Sequence, residues 1–287
     1  MQRYLTIAAV LFLLLGLTVQ QEAAPKKTYQ YNFTHESFDH AKLKQLRETY
    51  DFAEYAGQGK TEYEKMVLLK DWVYSQLLYS FKTPYPEMID SFEILKLTKE
   101  KKTRFLCTSY ASLYLQCALS MGWTARFFFL RRPAGNQHIG VDVWSAKYNK
   151  WIYIDPTWNI HTEENGIPLS LLEIRQKWLD KSYDEMKFIF SAGEKTEWLT
   201  KADFPIRKGD SELWTVYPID EGWLAYSFEI ALIGRNNFFE NGNLWASRIY
   251  ILKDKHNEND KYWLFRNQMP LPVNVLFGPL DTTELRK

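Results

Sequence analysis

Three short segments of the chain supply the residue types that covalent catalysis by a cysteine requires. Cys107 lies in the segment RFLCTSYA, His138 begins the segment HIGVDVW, and Asp155 lies in the segment WIYIDPTW. Together they provide a thiol, an imidazole and a carboxylate, which can attack a carbonyl group if the fold brings them into contact. The pattern therefore favours amide or acyl chemistry.

The chain after Cys107 has the spacing of a helix. Gly122 stands where a helix would end, and five apolar or aromatic positions share one face: Tyr110, Leu113, Tyr114, Cys117 and Met121. This prediction places Cys107 at the amino terminus of the helix. Both that terminus and a protonated imidazole would stabilise a thiolate.

Beyond this helix the hydrophobic period changes to two. Residues 126–132, 139–145 and 151–155 read as strands, with residues 147–150 as the turn between the last two. Pairing about this turn places His138 opposite a position near 159 and Asp155 opposite a position near 142. Because the register is uncertain by a few residues, His138 could meet Asp155, and Asp142 is the alternative third member.

Helical spacing also occurs before and after these segments. We predict helices over residues 39–55, 61–79, 91–97 and 168–178, and Thr61 followed by Glu64 forms a capping box for the second of them. Helices followed by an antiparallel sheet indicate an α+β domain.

Several of these motifs together resemble the transglutaminase-like superfamily over about residues 61–160. They are the segment KMVLLKDWV, the Cys107-x-x-Tyr-Ala helix start, the segment MGWTAR, the His138 strand and the Asp155-Pro-Thr sequence. The resemblance implies a papain-like fold in which Cys107 is the nucleophile, His138 the general base and acid, and Asp155 the residue that orients the imidazole. Tyr110 and Trp158 are candidate walls of the substrate cleft.

The implied substrate is a protein or peptide, attacked at a peptide bond or a glutamine-type side-chain amide to give a thioester. Water would then complete hydrolysis and an amine would complete acyl transfer, and hydrolysis is slightly favoured. Two departures favour an alternative, a non-catalytic transglutaminase-like protein that binds a polypeptide or a glycan. Phe105 stands where relatives usually have glycine, and Gly140 stands where they often have tryptophan.

The remaining cysteine and histidine positions predict no metal site or disulfide. On one helix, Cys107 and Cys117 would be ~15 Å apart, too far for a disulfide, and Cys117 reads as a core residue. His161 is a further candidate to line the cleft. The sequence has neither a Cys-x-x-Cys pair nor a His-Glu-x-x-His motif, so we predict no cofactor and no metal.

The amino terminus reads as an export signal. Arg3 precedes an apolar run over about residues 5–17, so residues 1–20 are predicted to be a signal peptide or, if uncleaved, a membrane anchor. The expected location is secreted, periplasmic or otherwise extracytoplasmic, with membrane contact only through an uncleaved anchor. The formal net charge of +1 would become zero on removal of this segment, and no basic stripe indicates nucleic acid.

Four regions follow from these patterns in a chain of 287 residues. Residues 1–20 are the signal or anchor, residues 21–38 a linker, and residues 39–199 the papain-like or transglutaminase-like domain. Residues 200–287 carry aromatic and β-branched runs between turn residues, which predicts a β-rich accessory domain. A small sandwich is one architecture that fits this pattern, and a glycan is one ligand that such a domain could bind.

Overall fold

The computed structural model describes the central part of the chain and several strands of its carboxyl-terminal part. The described residues are 34–79, 90–101, 103–131, 137–191, 214–217, 229–233, 235–239, 249–252 and 268–271. The predicted signal or anchor segment and most of the predicted linker lie outside them.

Six helices occur in the described residues. They are α1 (Ala41–Thr49), α2 (Phe52–Gly57), α3 (Glu62–Gln76), α4 (Ser91–Lys101), α5 (Cys107–Ser120) and α6 (Leu171–Asp180). The predicted capping box is confirmed, because the Thr61 side chain accepts from the Glu64 N–H while the Glu64 side chain accepts from the Thr61 N–H. No helix among these residues is long and apolar enough to cross a membrane.

All four predicted helices differ in extent from the structure. Helix α4 continues four residues past the predicted end at residue 97, and α6 begins at Leu171 and ends at Asp180 where residues 168–178 were predicted. The predicted helix over residues 39–55 is two helices, with a break at Tyr50 and Asp51, and the Asp51 carboxylate there accepts a 2.7 Å hydrogen bond from the Trp72 indole. The predicted helix over residues 61–79 ends at Gln76 because the chain turns extended at Leu77 and enters a strand. In both places a tertiary contact overrides the local helical spacing.

The structure contains fourteen strands in the described residues. They are β1 (Thr34–His35), β2 (Leu78–Tyr79), β3 (Arg104–Phe105), β4 (Ala125–Arg131), β5 (Gln137–Ser145), β6 (Lys150–Asp155), β7 (Ile160–Glu164), β8 (Ile167–Pro168), β9 (Met186–Ser191), β10 (Trp214–Tyr217), β11 (Glu229–Ile233), β12 (Arg235–Asn236), β13 (Ile249–Leu252) and β14 (Gln268–Leu271). The three strands predicted between residues 126 and 155 are confirmed.

One large sheet dominates the fold. Its strand order is β10-β9-β7-β6-β5-β4-β11-β13-β14, with β8 beside β7, and all neighbours are antiparallel except β13 and β14. Helices packed on an antiparallel sheet agree with the α+β prediction. Two short parallel pairs, β1 with β12 and β2 with β3, lie outside the large sheet.

Both faces of the central strands are buried. Alternate residues of β4, β5 and β6, such as Phe127, Val141 and Ile152, join one core with α3 and α5. The intervening residues, such as Phe128 and Tyr153, join a second core with α6. The sheet thus separates two hydrophobic cores, and the helix that begins at Cys107 packs on one side of it.

Four of the five described strands of the carboxyl-terminal part, β10, β11, β13 and β14, belong to the same large sheet. Strand β11 pairs with β4, and β13 and β14 follow it. The predicted sandwich over residues 200–287 falls mostly outside the described residues and stays a prediction.

Candidate active site

Cys107 occupies the first position of α5. The preceding residue, Leu106, caps the helix with an extended backbone (φ −91°, ψ 175°), and the first turn contains no acidic residue. Strand β3 pairs with β2 immediately before this point, which fixes the direction in which the chain enters the helix. The partly buried Cys107 side chain therefore lies at the positive end of a fourteen-residue helix, where a thiolate is stabilised.

The register of β5 and β6 differs from the predicted register by two residues. Val141 faces Ile154, and Ser145 faces Lys150 to close a turn over residues 146–149. The turn begins one residue earlier than predicted and ends at Asn149, which takes the left-handed conformation (φ 50°) that asparagine tolerates. A shift of two residues keeps each side chain on its predicted face.

This register makes His138 and Asp155 diagonal neighbours. Continuing the observed pairing places Asp155 beside Gly140, two residues from His138 on the same face. Diagonal neighbours of this kind are within reach of long side chains. His138 Nε2 lies 2.8 Å from Asp155 Oδ2, and both side chains are buried.

The imidazole also contacts the thiol, so that Cys107, His138 and Asp155 form a contact chain. Burial alone would lower the pKa of His138, but the charge and hydrogen bond of Asp155, together with a hydrogen bond and the charge of Cys107, raise that pKa to about 10. Because Nε2 faces Asp155, Nδ1 is the ring nitrogen left for the thiol. The site therefore favours an imidazolium at neutral pH, which can stabilise a thiolate beside it.

Asp142, the alternative third member, has a different partner. Arg126 donates from Nε and Nη2 to its Oδ2 at 3.1 and 2.9 Å, and both side chains are buried. Burial raises the pKa of Asp142 while the Arg126 guanidinium opposes that rise. The Arg126 guanidinium also stacks 3.9 Å above the Trp151 ring. The described contacts thus assign Asp142 to Arg126 and leave Asp155 as the partner of His138.

The two candidate walls of the cleft differ in exposure. Trp158 is partly exposed, and its ring lies 6.5 Å from the His138 ring and 4.8 Å from the Tyr79 ring. Tyr110 is fully buried and lies behind Tyr79, with ring centroids 6.3 Å apart. The structure brings Trp158 to the imidazole and keeps Tyr110 in the core.

The two other residues that the sequence singled out lie in the core. Cys117 is a free, fully buried thiol, and burial raises its pKa well above the ordinary value. His161 is also buried, against the Tyr63 ring at 5.8 Å. Burial, and then the positive charge of Lys70, lower the pKa of His161 to about 4 against the opposing effect of Glu163, so the ring is neutral near pH 7.

Two residues that the sequence did not single out support the site: Lys70 binds the turn after Asp155, and Tyr153 binds the Asp155 carboxylate. The fully buried Lys70 ammonium donates to the Asn159 carbonyl at 2.9 Å and lies 3.1 Å from the Asp71 carboxylate, which ties α3 to the turn after Asp155. Tyr153 donates to Asp155 Oδ2 at 3.1 Å. The available signals were a lysine among the buried positions of α3 and a tyrosine on the same strand face as Asp155.

A metal site is not evident in the described part of the chain. No group of three or more histidine, cysteine, aspartate or glutamate side chains is placed there so as to hold an ion.

The central part of the chain is similar to known proteins. Residues 50–156 match the family model of the transglutaminase-like superfamily. Two solved structures are similar over part of their length: a "putative cysteine protease" from Cytophaga hutchinsonii (18% identity, TM-score 0.34) and a protein described as a TGase (16% identity, TM-score 0.31).

The two alignments cover 44% and 40% of this chain, and the chain spans 40% and 32% of the respective structures' own lengths. No curated protein matches the sequence. By its match to the family model, the chain contains a transglutaminase-like domain at residues 50–156.

Proposed function

We propose that this chain is a cysteine enzyme that acts on amide or peptide bonds of a protein or peptide. The observation that carries the proposal is the contact chain at the start of α5. Cys107 lies at the helix amino terminus and hydrogen bonds with His138, whose Nε2 is 2.8 Å from Asp155 Oδ2. A nucleophile, a proton donor and an orienting carboxylate in contact are what covalent acyl chemistry requires.

The first half of the reaction forms a thioester. The Cys107 thiolate attacks the carbonyl carbon, a sulfur–carbon bond forms, and the carbonyl electrons move to oxygen, which the Cys107 backbone N–H can stabilise. As the carbon–nitrogen bond breaks, the His138 imidazolium gives its Nδ1 proton to the departing amine. The amine leaves, and a neutral imidazole and a thioester remain. Asp155 keeps the ring oriented throughout.

The second half releases the acyl group. The neutral His138 imidazole takes a proton from water or from an amine as that molecule attacks the thioester carbonyl. Collapse of the intermediate expels the Cys107 thiolate and restores the thiolate and imidazolium pair. We favour hydrolysis slightly over transfer, because an exported enzyme meets abundant water and dilute amines.

The alternative of a non-catalytic binding protein rests on Phe105 and Gly140. Phe105 is buried in the core with α5, and the space beside Gly140 is filled by the Phe128 ring, 2.7 Å from where a β-carbon would lie. Neither departure removes a member of the contact chain. This packing supports the catalytic proposal over the binding alternative.

Acylation by p-nitrophenyl acetate tests the proposal. The wild type is expected to release about one equivalent of nitrophenolate in a burst and to carry an acetyl thioester on Cys107 in peptide mass spectra. Cys107→Ala removes both signals. Cys117→Ala is the matched control and retains them, because that thiol is buried in the core. Acylation no faster than that of a free thiol would instead support the binding alternative.

The fate of the acetyl group separates the two reaction types. With methylamine added, hydrolysis yields acetate and transfer yields N-methylacetamide, and we expect acetate to predominate. Export of the chain by residues 1–20 and glycan binding by residues 200–287 complete the proposal. Cell fractionation and binding of labelled oligosaccharides to the full chain test these two parts.

A further inference from the structure

The Asp155 carboxylate accepts four hydrogen bonds within the fold. Oδ1 accepts from the backbone N–H groups of Thr157 and Trp158, at 3.0 and 3.3 Å. Oδ2 accepts from His138 Nε2 at 2.8 Å and from the Tyr153 hydroxyl at 3.1 Å. Four donors occupy the lone pairs that a carboxylate offers. One oxygen therefore serves both the imidazole and the tyrosine.

The Tyr153 ring is held in place by packing. It is nearly fully buried, and its centroid lies 5.7 Å from that of Phe128. The Phe128 ring in turn occupies the space beside Gly140, where an added β-carbon would lie 2.7 Å from Cζ. Burial, followed by the charge of Asp155, raises the pKa of Tyr153 well above its ordinary value, so the hydroxyl remains a donor.

We propose that Tyr153 is a positioning residue that acts on His138 through Asp155, by sharing Oδ2 with the imidazole and so limiting how tightly the carboxylate holds the imidazolium. This inference rests on the proposed function. In the acylation step the imidazolium must release its Nδ1 proton to the departing amine. A carboxylate that also accepts from Tyr153 holds the ring in place without making the imidazolium too weak an acid.

The direction of the effect follows from the charge on Oδ2. A hydrogen bond to a carboxylate stabilises its charged form and lowers its affinity for a further proton. Without the Tyr153 hydroxyl the same oxygen becomes a stronger acceptor for His138 Nε2, and the imidazolium becomes a weaker acid. Simple loosening of the site would have the opposite effect, since a more distant carboxylate would stabilise the imidazolium less.

Among the described residues, two other titratable groups, Cys107 and Asp142, act on this pair. The Cys107 thiol contacts His138 from α5. The charge of Asp142 contributes to the raised pKa of Tyr153, and Asp142 is paired with Arg126 across the neighbouring strands. None of these groups changes when the Tyr153 hydroxyl is removed.

The test is an NMR titration of the His138 ring, with ¹³Cε1-labelled histidine, in a Cys107→Ala chain. The thiol is removed so that the measured midpoint reports the imidazole and its carboxylate partner alone. Tyr153→Phe is expected to raise the His138 midpoint by about one pH unit, a tenfold higher proton affinity. Tyr114→Phe is the matched control, because it removes another buried tyrosine hydroxyl, which donates to the Met66 carbonyl at 3.0 Å. The control is expected to leave the midpoint unchanged.

A second variant keeps the hydroxyl and the packing. Replacing Tyr153 by 3-fluorotyrosine makes the hydroxyl a stronger donor and is expected to lower the His138 midpoint. An unchanged or lowered midpoint in Tyr153→Phe, or an equal rise in Tyr114→Phe, overturns the inference. Should Tyr153→Phe not fold, an unchanged or raised midpoint with 3-fluorotyrosine overturns it instead. Failure of the proposed function would appear separately, as absent acylation of Cys107 in the wild type.

Discussion

The pH dependence of Cys107 alkylation in the wild type and in His138→Ala is the sharpest test of the contact chain. The pKa of His138 is raised to about 10, so most of the rings are protonated at pH 8 and still more at lower pH. The imidazolium beside Cys107 is therefore nearly constant between pH 5.5 and 8. If that charge sustains a thiolate, the rate of alkylation by iodoacetamide should change by less than about threefold across this range.

An ordinary thiol behaves very differently over the same range. With a pKa of ~8.5, about 24% is thiolate at pH 8 and about 0.1% at pH 5.5, a decrease of about 240-fold. His138→Ala removes the imidazolium, and we expect its Cys107 rate to fall by a factor of this order. The ratio of the rates at the two pH values is compared within each protein, so differences in the intrinsic reactivity of the thiolate cancel.

Residue-resolved mass spectrometry provides an internal control for folding. Cys117 is fully buried and burial raises the pKa of its thiol, so it should remain unlabelled as long as the variant is folded. A wild-type Cys107 rate that also falls about 200-fold between pH 8 and pH 5.5 would refute the reasoning. The reasoning would also be refuted if the rate of Cys107 alkylation in His138→Ala stayed constant across this pH range while Cys117 remained unlabelled.

Two further predictions concern the packing that supports the site. Lys70→Met should lower the free energy of unfolding, measured in urea, by about 3 kcal/mol, because it leaves the buried Asp71 carboxylate without the ammonium 3.1 Å away. Lys44→Met, at an exposed lysine, should change the free energy of unfolding by less than about 0.5 kcal/mol. Equal effects of the two substitutions would contradict a stabilising role of the buried Lys70–Asp71 pair. Gly140→Ala should lower the free energy of unfolding by about 1–3 kcal/mol, because its β-carbon would lie 2.7 Å from Phe128 Cζ. In the double variant Gly140→Ala/Phe128→Leu the leucine side chain is shorter than the phenylalanine ring, so part of the lost stability should return. A double variant no more stable than Gly140→Ala alone would show that this contact is not the cause.

Local patterns were sufficient to predict the elements that carry the candidate site. The spacing after Cys107 gave the helix and its first residue, and the period of two gave the strands of His138 and Asp155. These features depend on residues close together in the chain. The face on which each strand residue lies follows from the same short-range pattern, which is why a register error of two residues did not separate His138 from Asp155.

Contacts between distant segments could not be obtained in this way. The helix break at Tyr50 and Asp51 coincides with a hydrogen bond from the Trp72 indole, and α3 ends where the chain enters a strand that pairs with residues 104–105. The burial of Lys70 depends on a carbonyl 89 residues away in the chain. Each of these features is decided by tertiary partners that no local spacing reveals.

Gly140 shows how such partners change the interpretation of a motif. Considered by itself, a glycine where relatives often have tryptophan suggests a weakened site. In the fold, the Phe128 ring from the neighbouring strand fills that space and packs against Tyr153, which donates to the carboxylate that holds His138. The volume missing at one position is supplied from another strand. A departure from the motif therefore has to be judged together with its neighbours in space, and here those neighbours contact the carboxylate that lies 2.8 Å from the imidazole.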